Sequence, residues 1–166
     1  GDVYKRQVGS SFFLFGYIFL NKFKPLKFEL FQWFPDPKII FEFYLDGLSG
    51  IMMVLICGLS LVIQVFSTSY MSKDVNYTKY FEYFNFFVFS MLLLVLSGNF
   101  LVMFFGWELV GLSSYLLISF WSEKKSAARA GNKAFIINRI GDFGFLIGLM
   151  MILNHFQTFN FLTIFD

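Results

Sequence analysis

The chain has 166 residues, of which 57% are hydrophobic and 14% charged, with a net charge of +2 and a mean hydropathy of +0.66. Soluble domains usually contain about 45–50% apolar and about 25% charged residues, so this composition excludes an ordinary soluble domain. The small net charge, with no basic stripe interleaved with aromatic residues, argues against a nucleic-acid partner. The single cysteine, Cys57, excludes an internal disulfide and a site built from several thiolates.

The apolar residues are concentrated in runs, several of which approach or reach the roughly 17–25 residues that cross a bilayer. They predict an all-α, polytopic transmembrane helix bundle with about five spans or part-spans. In chain order these are residues 8–20, 48–67, 80–96, 100–120 and 127–153. Residues 1–7 form a doubtful start, either non-native or truncated, and no functional role is assigned to them.

The longest polar connection precedes the second span. Residues 27–34 (KFELFQWF) and 39–44 (IIFEFY) alternate in part between apolar and polar side chains, which predicts a short hairpin at the membrane surface. Asp46 stands just before the second span, where a carboxylate caps a helix and faces its positive end. Ser97-Gly98-Asn99 predicts a tight turn between two spans. Lysines divide almost evenly between the two sets of loops, so charge leaves the membrane orientation undetermined.

Glu108 lies inside the span 100–120. A carboxylate at that depth costs at least a few kcal/mol relative to an apolar residue, so such groups face a bundle interior or a wet cavity. Gly111 and Ser114 follow at steps of three and share its helix face. Glycine there would let another helix approach, and serine would extend a chain of hydrogen bonds. A carboxyl between desolvation and a nearby cation can accept and release protons, whereas the alternative is a structural carboxylate.

Arg139 and Asp142 form a second charged cluster, within the span 127–153. Their i,i+3 spacing lets them pair on one helix, and Asn138 lies four residues before Asp142. One interpretation is a structural ion pair that offsets its own desolvation. The other is a charge relay near the helix of Glu108, in which Arg139 tunes Asp142 or Glu108.

The last span also contains weaker candidates. Lys133 either extends to the membrane interface or projects inward beside the acidic residues, which makes it a weak site candidate. Gly141, Gly144 and Gly148 form a small-residue face and predict close helix packing. His155, the only histidine, is expected at the interface near the helix end.

The three tryptophans are predicted to have two different roles. Trp33 and Trp121 suit the aromatic belt at the membrane surface, whereas Trp107 is too central for it and is expected to wall off the site of Glu108. The sequence has no phosphate-binding glycine loop, no cysteine cluster for an iron–sulfur centre and no nucleophile–base pair. Any redox reaction or nucleotide hydrolysis that powers the protein is therefore expected in another subunit, and no cofactor is expected in this chain.

Two long motifs, FFGWELVGLSSYLLISFW and KAFIINRIGDFGFLIG, together resemble the chain 5 family of respiratory NADH:ubiquinone oxidoreductase (complex I). The run Leu45-Asp46-Gly47-Leu48-Ser49 also resembles that family's entry to a span. The resemblance covers roughly residues 41–153, with matching spacing between motifs. It implies an antiporter-like membrane-arm subunit, of which residues 8–166 are the N-terminal part of the transmembrane domain.

The same resemblance implies the roles of individual residues. Glu108 matches the family's essential intramembrane glutamate, and Arg139 and Asp142 match the arginine and aspartate of the following helix. Leu109 replaces a glycine that is common after the glutamate, which could narrow the local packing but keeps the carboxylate. The lysines that pair with the glutamate in the family cannot be located here, so a second polypeptide or a longer chain is expected to supply them.

The resemblance also implies partners and a compartment. Other membrane-arm and soluble-arm subunits of complex I are expected to bind, with FMN and iron–sulfur clusters in other subunits and lipid around the helices. The resemblance implies a multi-pass protein of the mitochondrial inner membrane, and the 27 phenylalanines hint at an AT-rich genome of the organelle type. Two alternatives stay open: a subunit of a multisubunit Na⁺/H⁺ antiporter, and a non-transporting scaffold fragment of a split subunit.

Overall fold

A computed structural model of the chain describes residues 24–34 and 39–165, together with positions 9, 10, 13 and 16. Its elements, in chain order, are β1 (Leu26–Phe34), β2 (Ile39–Leu45), α1 (Gly47–Tyr70), α2 (Tyr77–Val95), α3 (Phe100–Ile118), α4 (Lys125–Phe156) and α5 (Phe161–Phe165). The prediction of a mainly helical bundle with a short hairpin is confirmed. The predicted span 8–20 lies mostly outside the described residues, and the doubtful start 1–7 lies wholly outside them.

Strands β1 and β2 form the predicted hairpin. They pair antiparallel from Leu26 opposite Leu45 to Phe34 opposite Ile39, with two irregularities in the register of β1. Aromatic side chains strengthen the pairing across the strands, and the rings of Phe31 and Phe41 stack with centroids 5.3 Å apart. The hairpin is therefore held by ring packing as well as by its backbone ladder.

The described part of the chain has two distinct ends. At the hairpin end, the Tyr44 backbone N–H donates to the Leu96 carbonyl at 2.8 Å, which joins β2 to the turn between α2 and α3. At the opposite end, the Trp121 indole donates to the Asp74 carboxylate at 2.9 Å and joins two loops. The helices α1 to α3 therefore run up and down between these two ends as neighbours.

Side-chain caps fix the starts of two helices at the hairpin end. Asp46 accepts from the Ser49 backbone N–H at 2.8 Å, and the Ser49 hydroxyl accepts from the Asp46 backbone N–H at 2.8 Å, which makes a capping box for α1. Asn99 accepts from the Val102 backbone N–H at 2.8 Å and caps α3. Both predictions, the Asp46 cap and the tight turn at 97–99, are confirmed.

Close contacts and polar pairs hold α1, α2 and α3 together. A Cβ on Gly106 would lie 2.7 Å from the Leu94 backbone, so only glycine allows α3 to approach α2 this closely. On the other side of α2, the Gln64 side chain donates to Asn85 at 2.7 Å. The hydrogen bond therefore ties α1 to α2 within an otherwise apolar contact.

Three of the described helices, α1, α3 and α4, are long and apolar enough to cross a membrane. Helix α2 occupies the predicted span 80–96 but is not among them. Lys79, Glu82 and Asn85 fall in its first half and lower its mean hydropathy. The predicted helix is confirmed, and its passage through the membrane stays a prediction.

One face of α4 has no neighbour among the described residues. Ile140, Phe143 and Met151 are more than two-thirds exposed on it. A Cβ built at Gly141, Gly144 or Gly148 meets nothing within 4 Å, so the close packing predicted for these glycines is not found in the part of the chain that the structure describes. The opposite face of α4 packs on α3, and the charged residues lie there.

Candidate functional site

Glu108 and Arg139 form an ion pair that joins α3 to α4, between Oε2 and Nη1. The same guanidinium reaches Asp142, whose Oδ2 lies 3.3 Å from Nε. The structure thus brings together Glu108, Arg139 and Asp142, three of the four charged residues that the sequence singled out, hereafter the inner triad. Asp142 is buried at 6% side-chain exposure, whereas Glu108 retains 23%. Their placement is shown, and their role stays a prediction.

The position of Arg139 follows from its helix and from the surface it faces. The i,i+3 spacing places it beside Asp142 on α4, and the planar guanidinium can bind two carboxylates at once. Its Cζ also lies 4.8 Å from the centre of the Phe135 ring. A Cβ on Gly111 would come within 3.1 Å of Nη2, so this glycine leaves space for the guanidinium.

Trp107 contacts the inner triad in a way that the sequence did not predict. Its indole N–H donates to Asp142 Oδ1 at 2.8 Å, so it bonds the far carboxylate instead of walling off Glu108. The ring itself is half exposed. A cleft of about 210 Å³ opens beside this hydrogen bond, lined by Trp107, Asp142 and neighbouring residues of α4. A cleft of this size beside a carboxylate has room for several waters.

The serines next to the inner triad donate their hydroxyl protons within their own helix, and the predicted extension of the site through Ser114 stays a prediction. The Ser114 hydroxyl donates to the Gly111 carbonyl of its own helix at 2.9 Å, and Ser113 bonds back to Val110 in the same way. Serines commonly satisfy themselves within a helix like this. Among the described residues, neither hydroxyl forms a hydrogen bond with a side chain of the inner triad.

Lys133 does not join the inner triad. It precedes Asp142 by nine residues, which at 100° per residue places it about 180° around α4. It is exposed on the uncovered face, and no ion pair among the described residues includes it. Lys133 therefore does not point toward the acidic residues of the inner triad, and its role stays a prediction. Asn138 is exposed as well, and His155 lies exposed in the last turn of α4, at the helix end where the sequence placed it.

Two negative charges share one positive charge in the inner triad. Carboxylates in a low-dielectric region are costly unless paired, and one guanidinium cannot fully compensate both. Binding a proton on one carboxyl removes the excess negative charge, so the arrangement can store a proton. No group of His, Cys, Asp and Glu among the described residues could hold a metal ion.

Sequence reasoning missed a second charged cluster, in the hairpin. Glu42 is 1% exposed, and its Oε2 lies 2.9 Å from Lys27 Nζ, which also lies 3.0 Å from Glu29 Oε1. These three residues are hereafter the outer triad. Hydrogen bonding to Glu42 raises the pKa of Lys27, with partial burial acting against it. The available signal was the register, because Glu29 stands directly opposite Glu42 and such like charges need a shared cation.

The chain has apolar helices of spanning length, and a cluster of paired charges lies where α3 packs on α4. These features define a multi-spanning membrane protein with a charged interior. Residues 97–166 match a family model described as NADH:quinone oxidoreductase/Mrp antiporter, TM. Residues 33–81 match a model for the N-terminus of complex I chain 5. The chain belongs to the family of antiporter-like membrane subunits that includes chain 5 of NADH-ubiquinone oxidoreductase and subunit L of NADH-quinone oxidoreductase.

Individual relatives agree with this assignment. NADH-ubiquinone oxidoreductase chain 5 of Acanthamoeba castellanii is 40% identical over 158 residues, 94% of this chain and 23% of that protein. NADH-quinone oxidoreductase subunit L of Neisseria meningitidis is 46% identical over 115 residues, 69% of this chain and 17% of that protein. The chain thus spans only about a fifth of the length of these curated relatives.

A solved structure shows a similar fold. It is the membrane-bound sulfane sulfur reductase, an archaeal respiratory membrane complex, and one of its chains gives a TM-score of 0.76 at 20% sequence identity. The match covers 95% of this chain and 31% of that one. At this identity the similarity concerns the fold alone.

Proposed function

We propose that this chain is part of a proton-translocating membrane-arm subunit of respiratory complex I, with Glu108 as its proton-carrying group. The observation that supports this most is the sharing of Arg139 between Glu108 on one helix and Asp142 on the next. Of the two carboxylates, Glu108 is the less buried and lacks the indole hydrogen bond that Asp142 has. Glu108 is therefore the member that takes up the proton.

The protonation of Glu108 changes the pairing of Arg139. When Glu108 is charged, it attracts the guanidinium across the helix contact. When Glu108 takes up a proton, the guanidinium pairs with Asp142 alone, because a neutral carboxyl attracts it weakly. A positive group that approaches Glu108 from outside this chain favours release of the proton. Alternation between these two states moves a proton without any redox chemistry in this chain.

The energy comes from other subunits. NADH oxidation and ubiquinone reduction take place there, on FMN and iron–sulfur clusters, and this chain binds other membrane-arm and soluble-arm subunits. The missing cation partners come from the rest of the same subunit, on a longer chain or a second polypeptide. The protein lies in the mitochondrial inner membrane as a multi-pass protein surrounded by lipid. The high phenylalanine content and the chain 5 relative of Acanthamoeba castellanii support that compartment.

A Na⁺/H⁺ antiporter subunit is the second candidate, because the family model over residues 97–166 covers Mrp antiporters as well. The match of residues 33–81 to complex I chain 5 favours the respiratory enzyme. Purification of the assembly through a tag on this chain distinguishes the two. A co-purifying hydrophilic arm with FMN and iron–sulfur clusters supports complex I, and a membrane assembly without it supports the antiporter.

Replacement of Glu108 tests the proposed function. In the assembled complex reconstituted into vesicles, Glu108→Gln is expected to lower protons pumped per NADH by about tenfold or more, because the amide cannot carry a proton. Glu123→Gln, in the exposed loop between α3 and α4, is the matched control and should pump normally. A normal proton-to-NADH ratio in Glu108→Gln would exclude the proposal and favour a scaffold role.

A further inference from the structure

Glu42 is the most buried charged side chain outside the inner triad. It lies on β2 and faces β1, the segment after α4 and the turn before α3. Lys27 and Glu29 come from β1, and the Asn160 amide, after α4, donates to Glu42 Oε1. A small polar cavity of about 40 Å³ adjoins the carboxylate, lined also by Asn99. A carboxylate this deeply buried is stable only while these partners keep their places.

The same residue is joined to the start of α3. The Gly98 backbone N–H donates to the Glu42 carbonyl at 3.0 Å, and the Asn99 side chain donates to the Ile40 carbonyl at 2.8 Å. A Cβ on Gly98 would lie 2.6 Å from Glu42 Cγ, so the turn and the carboxylate are in direct contact. Asn99 is also the cap of α3, and β2 therefore fixes where that helix begins.

The end of α4 is joined to the same place. After α4 ends, the chain returns to the hairpin, and the Phe100 backbone N–H donates to the Phe159 carbonyl at 3.0 Å. Phe159 is buried with Ile39 of β2 and Leu149 of α4 in one apolar cluster. Next to it, Asn160 bonds the Glu42 carboxylate. Glu42 thus links the beginning of α3 to the segment that follows α4.

These two helices carry the inner triad. Glu108 lies eight residues beyond Phe100, about 12 Å along α3 at 1.5 Å per residue. Because a helix is stiff, a displacement of the start of α3 relative to the end of α4 is transmitted to the contact between Glu108 and Arg139. A buried carboxylate held by Lys27 on one oxygen and by Asn160 on the other favours one arrangement, whereas an apolar contact would tolerate sliding.

We infer that Glu42 is a positioning residue for proton translocation, which sets the register of α3 against α4 and so the pairing of Glu108 with Arg139. The inference rests on the proposed function, because it gives Glu42 an effect on pumping. Glu42 does not touch the proton itself.

The test compares variants of the two hairpin glutamates in the complete complex in vesicles. Glu42→Ala removes both the pair with Lys27 and the bond to Asn160. Glu42→Gln keeps an oxygen that Asn160 can reach, and it serves as the milder variant if Glu42→Ala assembles poorly. Glu29→Ala is the matched control, because Glu29 contacts the same lysine but is more than half exposed.

Protons pumped per NADH are measured on assembled complex only, which separates positioning from stability. We expect Glu42→Ala to lower this ratio about three- to tenfold, Glu42→Gln to lie between it and the wild type, and Glu29→Ala to leave it unchanged. If both Glu42 variants reduce only the amount of complex and every assembled copy pumps normally, the inference is overturned. A normal ratio in Glu108→Gln would instead remove the proposed function, so the two failures are distinguishable.

Discussion

The inner and outer triads have the same composition of charge but different surroundings. In each, one cation, about a third exposed, is shared by two carboxylates, Arg139 with Asp142 and Glu108, or Lys27 with Glu42 and Glu29. In each, one carboxylate is almost fully buried. The other differs, because Glu29 is 54% exposed in a surface hairpin whereas Glu108 is 23% exposed on a spanning helix.

That difference separates a structural cluster from a proton site. Water solvates Glu29, so the excess negative charge of the outer triad costs little free energy at neutral pH. Glu108 is less than half as exposed as Glu29 and lies on a helix of spanning length, so the same excess charge there favours binding a proton. The cation of the inner triad suits a proton site as well. An arginine stays charged at any accessible pH, and its planar guanidinium can pair with carboxylates on both helices.

Removal of the two cations should have unequal effects. Arg139→Met strips the cation from two carboxylates inside the membrane region, and breaking a buried pair in this way costs about 3–5 kcal/mol. We expect the assembled complex to fall to a small fraction of the wild-type amount on native gels. Lys27→Met should have a smaller effect, because it leaves one buried carboxylate without a cation instead of two in the membrane region, and Glu42 keeps its bond to Asn160.

Arg139→Lys serves as a control for charge alone, and it should restore assembly in part but not pumping, because an ammonium cannot bridge both carboxylates in the fork geometry. Equal losses in Arg139→Met and Lys27→Met would remove the distinction between the two triads.

A glycine faces each triad, which gives a finer comparison. Gly98→Ala places a Cβ 2.6 Å from Glu42 Cγ and 3.1 Å from its carbonyl oxygen, so the backbone must shift. Gly111→Ala meets the end of the flexible Arg139 side chain at 3.1 Å and, at an ordinary contact distance of 3.9 Å, Asn138 Nδ2. We expect Gly98→Ala to lower the temperature of thermal inactivation of the complex clearly, and Gly111→Ala to lower it less.

The proton-to-NADH ratio should show the opposite order. We expect the larger loss in Gly111→Ala, because the added methyl group displaces the guanidinium of Arg139 directly. Gly58→Ala, where a Cβ meets nothing within 4 Å, is the control for the added methyl group. An unchanged proton-to-NADH ratio in Gly111→Ala would show that the exact place of the guanidinium is unimportant.

Much of the fold was predictable because its signals are local. Apolar runs define the helices, Asp46 caps α1, and Ser97-Gly98-Asn99 marks the turn between α2 and α3. Glu108, Arg139 and Asp142 were predictable members of the site. A charged side chain within an apolar run costs free energy, so it is expected to be paired or functional.

The rest depends on contacts between distant segments. The burial of Glu42 results from the return of residues 97–99 and 158–160 to the hairpin, and no local pattern in β2 contains that information. The direction of the Trp107 indole is likewise set by the position of Asp142 on another helix. For Lys133, the spacing of nine residues from Asp142 already favoured the interface alternative over the inward one, because it places the two residues on opposite faces of α4.

The central claim is that Glu108 changes its protonation state during turnover, and infrared difference spectroscopy of the carboxyl region tests it most directly. Spectra of the complex at rest and during NADH oxidation should contain a protonated-carboxyl band that changes with turnover and disappears in Glu108→Gln, while Glu123→Gln keeps it. A spectrum that is the same in the wild type and in Glu108→Gln would contradict the account.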